Sequence, residues 1–256
     1  MRIKPYVEVE RTIQIVNAPP GFKLLDQIQG RYGQIKNELE AGGTDSLAYE
    51  IKLNFANQLS LSRVPKTMRH CLCVNFGPFT SPTYGEVCKQ KNRPMYHLAA
   101  FELFKAALDD YLDAPIPSRE VLFHDPEMNE QDENFLHMTP GYSVIPNLDF
   151  DFLVHRDVFV YAPCATFEWI RKLVSQGGPS VFVGVDFEGW PEALSPKPEY
   201  DDETNRRLEA QLREVKKICR ERLMAYVCVR SSLKYLVMKE DYEFPKVTAY
   251  CALGST

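Results

Sequence analysis

Arg69-His-Cys-Leu-Cys-Val-Asn-Phe-Gly-Pro-Phe-Thr-Ser-Pro82 is the stretch from which the fold is read. Its apolar run, Cys71 to Val74, is short, and turn residues begin at Gly77. A loop of small hydroxyl residues follows, and a helix-like segment starts near Arg93. An apolar run of this length, bounded by turn residues and followed by a helix, marks a strand buried on both faces of a parallel sheet. Open α/β sheets bind ligands beyond the carboxyl ends of their strands. Gly77 lacks a Cβ, so its backbone can turn sharply or approach a ligand closely. Thr80 and Ser81 supply hydroxyls at the mouth of the same loop. The floor of a functional site is therefore expected at Gly77, Thr80 and Ser81.

Downstream of this stretch, strands and helices alternate. Leu98, Phe101, Phe104, Ala107 and Leu108 form one apolar helical face, and Pro115 and Pro117 stop that helix. Strands are predicted at Val121–Asp125, Tyr142–Ile145, Asp157–Cys164 and Ser180–Asp186. A brief helix is predicted around Phe135–Met138, another from Phe167 to Val174, and a long one from Asp202 to Leu223. Lys246–Leu253 reads as a last strand, on an edge of the sheet. This alternation implies right-handed crossovers and a Rossmann-like three-layer α/β sandwich with a mainly parallel sheet.

Upstream, residues 6–15 alternate apolar with charged residues, as a half-exposed strand does. Residues 22–41 predict a helix closed by Gly42-Gly43, and Asp45 or Ser46 caps a second helix running to Leu61. Residues 1–66 are thus expected to be an appendage packed on an α/β domain spanning 67–256.

The totals exclude several classes. A chain of 256 residues can bury a substantial core, and 45% hydrophobic with 25% charged residues is ordinary for a soluble domain. A net charge of −5 argues against binding polyanions through bulk charge, while leaving room for a local basic face. The first residues alternate in polarity, unlike a signal peptide, and no stretch approaches the ~20 apolar residues of a membrane span. A cytoplasmic protein without a membrane partner is expected. Seven cysteines is an odd number, and Cys71 and Cys73 have no second pair to complete a zinc set. Reduced thiols and no metal follow. Neither a Gly-x-Gly-x-x-Gly fingerprint nor a Walker motif occurs, so nicotinamide and ATP chemistry are disfavoured and no cofactor is expected.

Four polar features fall at predicted strand ends: Gly77 with Thr80 and Ser81, Asp125, Pro163-Cys164, and Asp186. The turn at Gly77 and the acids at 125 and 186 are expected to meet in one cleft. Each feature also has a plainer reading. Asp125 before Pro126 initiates a turn unaided. Cys164 is either a nucleophile or a small packed residue. Asp132 faces the same crevice or sits on a solvated helix.

Asp109, Asp110 and Asp113 end a helix, where acids oppose the macrodipole, and are candidates for substrate binding on that ground. Asp201, Asp202 and Glu203 open a helix, where acids are favourable. On that helix Arg206, Arg213, Lys217 and Arg220 share a narrow stripe, opposite Leu208, Leu212, Val215, Cys219 and Leu223. Such a stripe tracks phosphates, or is a solvated face in which Glu209 pairs with Arg213. Tyr226, Tyr235 and the acids between Glu240 and Glu243 offer a tyrosine–carboxylate pair for proton transfer, or form a surface loop.

Several of these pieces together resemble the sensitivity-to-red-light-reduced (SRR-like) domain family in its fungal form. The matching pieces are Cys73–Thr80 (Cys-Val-Asn-Phe-Gly-Pro-Phe-Thr), the helix with His97, Phe123–Leu136, Val158–Cys164 and Val181–Asp186. They run from Cys71 to about Gly189. The chain departs from the pattern where the family's Gly-Leu-Gly-Ser turn is Gly77-Pro-Phe-Thr80, and where its Pro-His-Cys is Pro163-Cys164.

The chain also resembles the fungal arginine-containing cyclodipeptide synthases. That likeness implies an enzyme taking arginyl-tRNA and a second aminoacyl-tRNA and releasing a diketopiperazine for secondary metabolism. Under it, Ser81 or Thr80 accepts the acyl group, and Asp125 or Asp186 binds the guanidinium and the α-amine. His97, Asp132 and Cys164 line the pocket, and the basic helix holds the acceptor stem. The alternative implied by the SRR-like likeness is a non-catalytic regulator or haem binder, with His70, His97, His124 and Cys164 as ligands.

Overall fold

The computed structural model describes residues 20–79, 93–146, 157–166, 169–170, 172–173, 178–185, 201–207, 209–210, 213, 226–229 and 247–252. Strand β1 (His70–Val74) is fully buried from Cys71 onward. It pairs in parallel with β2 (Val121–His124) on one side and β4 (Val158–Ala162) on the other. The sheet extends in parallel through β3 (Ser143–Val144) beyond β2 and β5 (Val181–Val185) beyond β4. Two antiparallel pairings complete it: β7 (Val247–Ala252) lies against β5, and β6 (Tyr226–Val229) lies against β7. The seven strands run β3-β2-β1-β4-β5-β7-β6.

This is a Rossmann-like, mainly parallel sheet, with one correction at its far end. The strand Val247–Ala252, expected on an edge, is interior, and the edge strand is β6, in which Tyr226 is a ladder residue. A short apolar run states that a strand is buried but not which neighbours it has, so the edge assignment had no basis in local pattern.

Four helices cover one face. Helix α1 (Pro20–Glu40) ends before Gly42 and Gly43, whose φ of +107° and +61° suit glycine. Helix α2 (Leu47–Leu61) starts at Ser46, whose side chain accepts the Tyr49 N–H at 3.2 Å. Helices α3 (Arg93–Tyr111) and α4 (Glu130–Met138) follow β1 and β2. Helix α4 is longer than the brief helix expected. Asn129 accepts the Gln131 N–H at 2.8 Å and Asp132 accepts the Asn129 N–H at 3.0 Å, a capping box that starts the helix early.

The core under this layer is aromatic. Phe101 stacks on Phe159 and meets Phe123 edge-on, while Phe55 meets Phe104 edge-on at 5.1 Å. Phe55 lies on α2 and Phe159 on β4, so α2 shares one hydrophobic cluster with the sheet. Helix α1 is tied on by a 2.7 Å Lys36–Glu102 ion pair and by Tyr32 against Phe135. The strand expected at 6–15 lies outside the described residues.

A second cluster covers the opposite face, where Leu72, Val74, Val160 and Ala162 meet Ile170 and Leu173 of the helical segment between β4 and β5. The crossovers through α3 and α4 lie on one face and the β4–β5 connection on the other. The change of face falls between β1 and β4, and open α/β sheets bind ligands in the crevice at the carboxyl ends of the strands at such a point. Residues 202–207, 209–210 and 213 are helical, as expected of that part of the chain. Among the described residues no helix is long and apolar enough to cross a membrane.

Cys71, Cys73 and Cys251 are free and buried, and burial raises all three thiols, Cys251 to about 12. An ordinary thiol in the unfolded chain loses its proton near pH ~8.5. Below that value both states are protonated and the full stability is present. Above it the unfolded chain releases protons that the folded chain keeps. Stability should then fall by about 1.4 kcal/mol per pH unit for each thiol until the folded thiols titrate. Urea midpoints measured from about pH 8 upward should drop steadily, and a flat profile would contradict the burial of these thiols.

Candidate functional site

The carboxyl end of β1 is shaped by two backbone positions, Asn75 and Gly77. Asn75 sits at φ +57°, a conformation asparagine tolerates better than most residues, and its N–H reaches the His124 carbonyl at 3.3 Å. Gly77 sits at φ +82°, and its N–H donates to Asp125 Oδ2 at 2.8 Å. The other oxygen, Oδ1, accepts the Glu127 N–H at 2.9 Å. Asp125 therefore starts its own turn and also ties the end of β2 to the loop after β1. Its residue is half-buried, leaving the carboxylate further lone pairs toward the crevice.

Two aromatic rings pin this loop on either side of Gly77-Pro78. Phe76 packs against Phe123 at 5.0 Å, Tyr161 at 5.4 Å and His97 at 6.1 Å. Phe79 packs against Phe135 of α4 at 5.0 Å. Both rings are buried, so the backbone between them has little freedom. Sequence reasoning missed these anchors, although two phenylalanines flanking Gly-Pro were a visible signal.

Across the crevice, β4 ends in a turn in which the Ala165 N–H reaches the Ala162 carbonyl at 3.3 Å. Thr166 Oγ1 then accepts the Trp169 N–H at 3.3 Å and opens the next helix. Cys164 lies in this turn and is only half-buried. Its Sγ is 3.6 Å from Nε2 of His97, which projects from the second turn of α3. His97 is fully buried, which corrects its expected role: it stands behind Cys164 and does not itself line an open pocket.

Asp132 is also corrected. It is fully buried, neither on a solvated helix nor open to the crevice, and its carboxylate serves the α4 cap. His124 was not weighed as a rim residue. Its Nδ1 lies 3.1 Å from the Ile145 carbonyl, and a carbonyl only accepts, so Nδ1 carries a proton there.

Asp109, Asp110 and Asp113 do not join this rim. They end α3, which leads to the start of β2, so they lie at the opposite rim of the sheet. Asp109 pairs with Lys105 through Oδ2 and accepts the Ile116 N–H at 2.9 Å through Oδ1, which offsets its unfavourable place on the helix dipole. The Asp113 N–H is held by the Lys66 carbonyl at 3.2 Å, ahead of β1. Asp110 and Asp113 are exposed. His70 opens β1 at this same end and contacts Glu120 at 3.1 Å, so His70, His97, His124 and Cys164 do not form one ligand set. Among the described residues no cluster of three His, Cys, Asp or Glu side chains is placed to hold a metal ion.

Arg206 and Arg213 are exposed, and among the described residues no ion pair engages either, including the expected one with Glu209. Asp201 opens this helix by accepting the Thr204 N–H at 2.7 Å, and that bond holds its carboxyl below the usual range. Thr80, Ser81, Asp186, Lys217, Arg220, Tyr235 and the acids from Glu240 to Glu243 lie outside the described residues.

A sequence profile of the SRR1 domain matches residues 51–250, most of the chain. The chain belongs to the SRR1 domain family. The SRR1 match starts inside α2 and ends inside β7, so it takes in β1, β2, β4 and every described residue of this rim. No curated protein is significantly similar to the chain in sequence. Among solved structures, a putative caffeoyl-CoA O-methyltransferase from Staphylococcus aureus is similar, with a TM-score of 0.38 and 10% identity. The alignment covers 91% of this SRR1-family chain and 99% of that one.

The Gly77–Asp125 junction should be measurable as stability. Asp125→Asn keeps the shape but offers one acceptor oxygen where two backbone N–H groups need one each. A cost of about 1–3 kcal/mol in urea unfolding is expected. Gly77→Ala should cost about 1 kcal/mol through its left-handed backbone alone, since an added Cβ would meet only Pro94 Cγ at 3.7 Å. Unchanged midpoints in both variants would mean that the two loops are not joined in solution.

Proposed function

We propose that this SRR1-family chain is a tRNA-dependent cyclodipeptide synthase. It joins arginine to a second amino acid, both taken from aminoacyl-tRNAs, and releases a diketopiperazine. The observation that carries this reading is the pairing, at one strand-end rim, of a fixed carboxylate with a thiol–imidazole contact. Asp125 is held by Gly77 on one side of that rim, and Cys164 meets His97 at the adjacent strand end.

The chemistry suits that rim. An aminoacyl ester is already activated, so no nucleotide-triphosphate site is needed. A carboxylate whose oxygens are oriented by two backbone N–H groups offers its remaining lone pairs to a guanidinium or an α-ammonium. Thr80 and Ser81 directly follow Phe79 in the chain, and Asp186 directly follows the last residue of β5. Exposed Arg206 and Arg213 offer phosphate contacts despite the net charge of −5. A tRNA substrate fits a cytoplasmic enzyme.

The test is incubation with arginyl-tRNA and a mixture of other charged tRNAs, followed by mass spectrometry. An arginine-containing diketopiperazine should accumulate with the native chain. Asp125→Asn should slow its formation about 10–100-fold, the worth of a charge-assisted contact. Arg206→Glu combined with Arg213→Glu should raise KM with little change in kcat. It should also flatten the salt dependence by roughly one power of salt concentration per lost phosphate contact. Folded protein that yields no arginine diketopiperazine from any charged tRNA mixture would rule the reading out.

A further inference from the structure

We infer that Cys164 is an activated nucleophile whose thiol proton is taken by His97, and that it is the residue that accepts the first aminoacyl group. The acyl-acceptor step rests on the synthase reading; the activation of the thiol does not.

Sequence reasoning left the acceptor open among Thr80, Ser81 and Cys164, and four observations support the cysteine. Its Sγ lies 3.6 Å from His97 Nε2, within the range of a sulfur hydrogen bond. It is half-buried, whereas Cys71, Cys73 and Cys251 are closed inside the core. It occupies a tight turn between a buried strand and a helix opened by Thr166, a placement that lifts a side chain clear of the sheet. That turn lies on the β4 side of the crevice between β1 and β4, facing the Gly77 loop on the β1 side. A thiolate there is favoured by the imidazolium that forms beside it. His97 is held in place by burial and by the edge of Phe76, so the base is fixed and the nucleophile is the accessible partner.

The step balances without an oxidant or a cofactor. The thiol proton moves to His97 Nε2 as Sγ attacks the ester carbonyl carbon of an aminoacyl-tRNA. A carbon–sulfur bond forms, the carbon–oxygen bond to the terminal ribose breaks, and His97 returns the proton to the departing ribose oxygen. The α-amine of the second aminoacyl-tRNA then attacks the thioester carbonyl. The thiolate leaves and is reprotonated, and a dipeptidyl-tRNA remains. Its free amine attacks its own ester carbonyl, which closes the ring and releases the second tRNA.

Two measurements on the full chain separate the parts of this inference. The first needs no substrate: iodoacetamide labelling of Cys164 across pH, followed by peptide mass spectrometry. Native Cys164 should react at neutral pH about tenfold or more faster than an ordinary thiol, with a midpoint well below ~8.5. His97→Gln should return both values to ordinary. Ordinary reactivity in the native chain overturns the activated nucleophile, and this result does not depend on any variant folding.

The second measurement is an acid quench with arginyl-tRNA. The native chain should carry an arginyl adduct on Cys164 that neutral hydroxylamine removes. Cys164→Ala should lose both the adduct and the product. Undiminished product from Cys164→Ala overturns the acceptor role and leaves the synthase reading standing. A reactive, His97-dependent Cys164 with no product from any charged tRNA upholds the nucleophile and overturns the synthase reading.

Discussion

Everything at the rim depends on β1 being hydrogen-bonded on both sides while the helices leave it and β4 on opposite faces. The pairing fixes the heights of three strand ends against one another: Val74 lies level with His124, and Cys73 level with Tyr161. The chains leaving β1, β2 and β4 therefore start from nearly the same level. The change of face keeps a helix from closing the gap between β1 and β4, which is why open α/β sheets place ligands at such a point. A strand added or lost at the far edge beyond β5 would leave this arrangement intact.

What turns a gap into a defined site is the way the first loop is pinned. A loop leaving a strand would ordinarily retain conformational freedom, worth about 1–2 kcal/mol for each residue that is fixed. Here that cost is offset within a few residues. Phe76 and Phe79 bury their rings on either side of Gly77-Pro78, and Asp125 holds the Gly77 N–H from the neighbouring strand end. Each phenylalanine buries enough apolar surface to contribute about 1.5–3 kcal/mol. The left-handed backbone at Asn75 and Gly77 is over-determined by its surroundings, as strained geometry at a site must be if it is to persist.

The parts of the fold that were legible in the sequence were those with a local cause. Cys71–Val74, Phe159–Ala162 and Val181–Val183 are uninterrupted apolar runs because both faces of each strand are buried, so their type could be read without knowing their neighbours. Ser46 and Gly42-Gly43 bound their helices through chemistry confined to a few residues. Strand order was not legible. The placement of β7 between β5 and β6 is decided by pairing partners far apart in sequence, and nothing in Val247–Ala252 states it. The same distinction divides the site residues. Gly77 and Asp125 could be placed together because both follow directly from strand ends. Asp109 misled for the opposite reason: its helix position looked costly, and the compensating Lys105 side chain and Ile116 N–H became visible only once the chain was folded.

The rim is held by backbone groups and ring packing, and this bears on how one family scaffold accommodates different chemistry. The Gly77 N–H, the Asn75 N–H and the Ala162 carbonyl make contacts that do not depend on which side chains the loops carry. Gly77-Pro78-Phe79 lies on the loop after β1, and Pro163-Cys164 on the turn after β4. In the turn after β4 the cysteine has an imidazole within 3.6 Å, because His97 is supplied from α3. A neighbour on the same loop would move with the cysteine and reach it only through the freedom of the turn. A neighbour on a buried helix is fixed by the core, with Phe76 at its edge. Cys164 thus faces an imidazole whose position is set by the core and not by the loop that carries the cysteine.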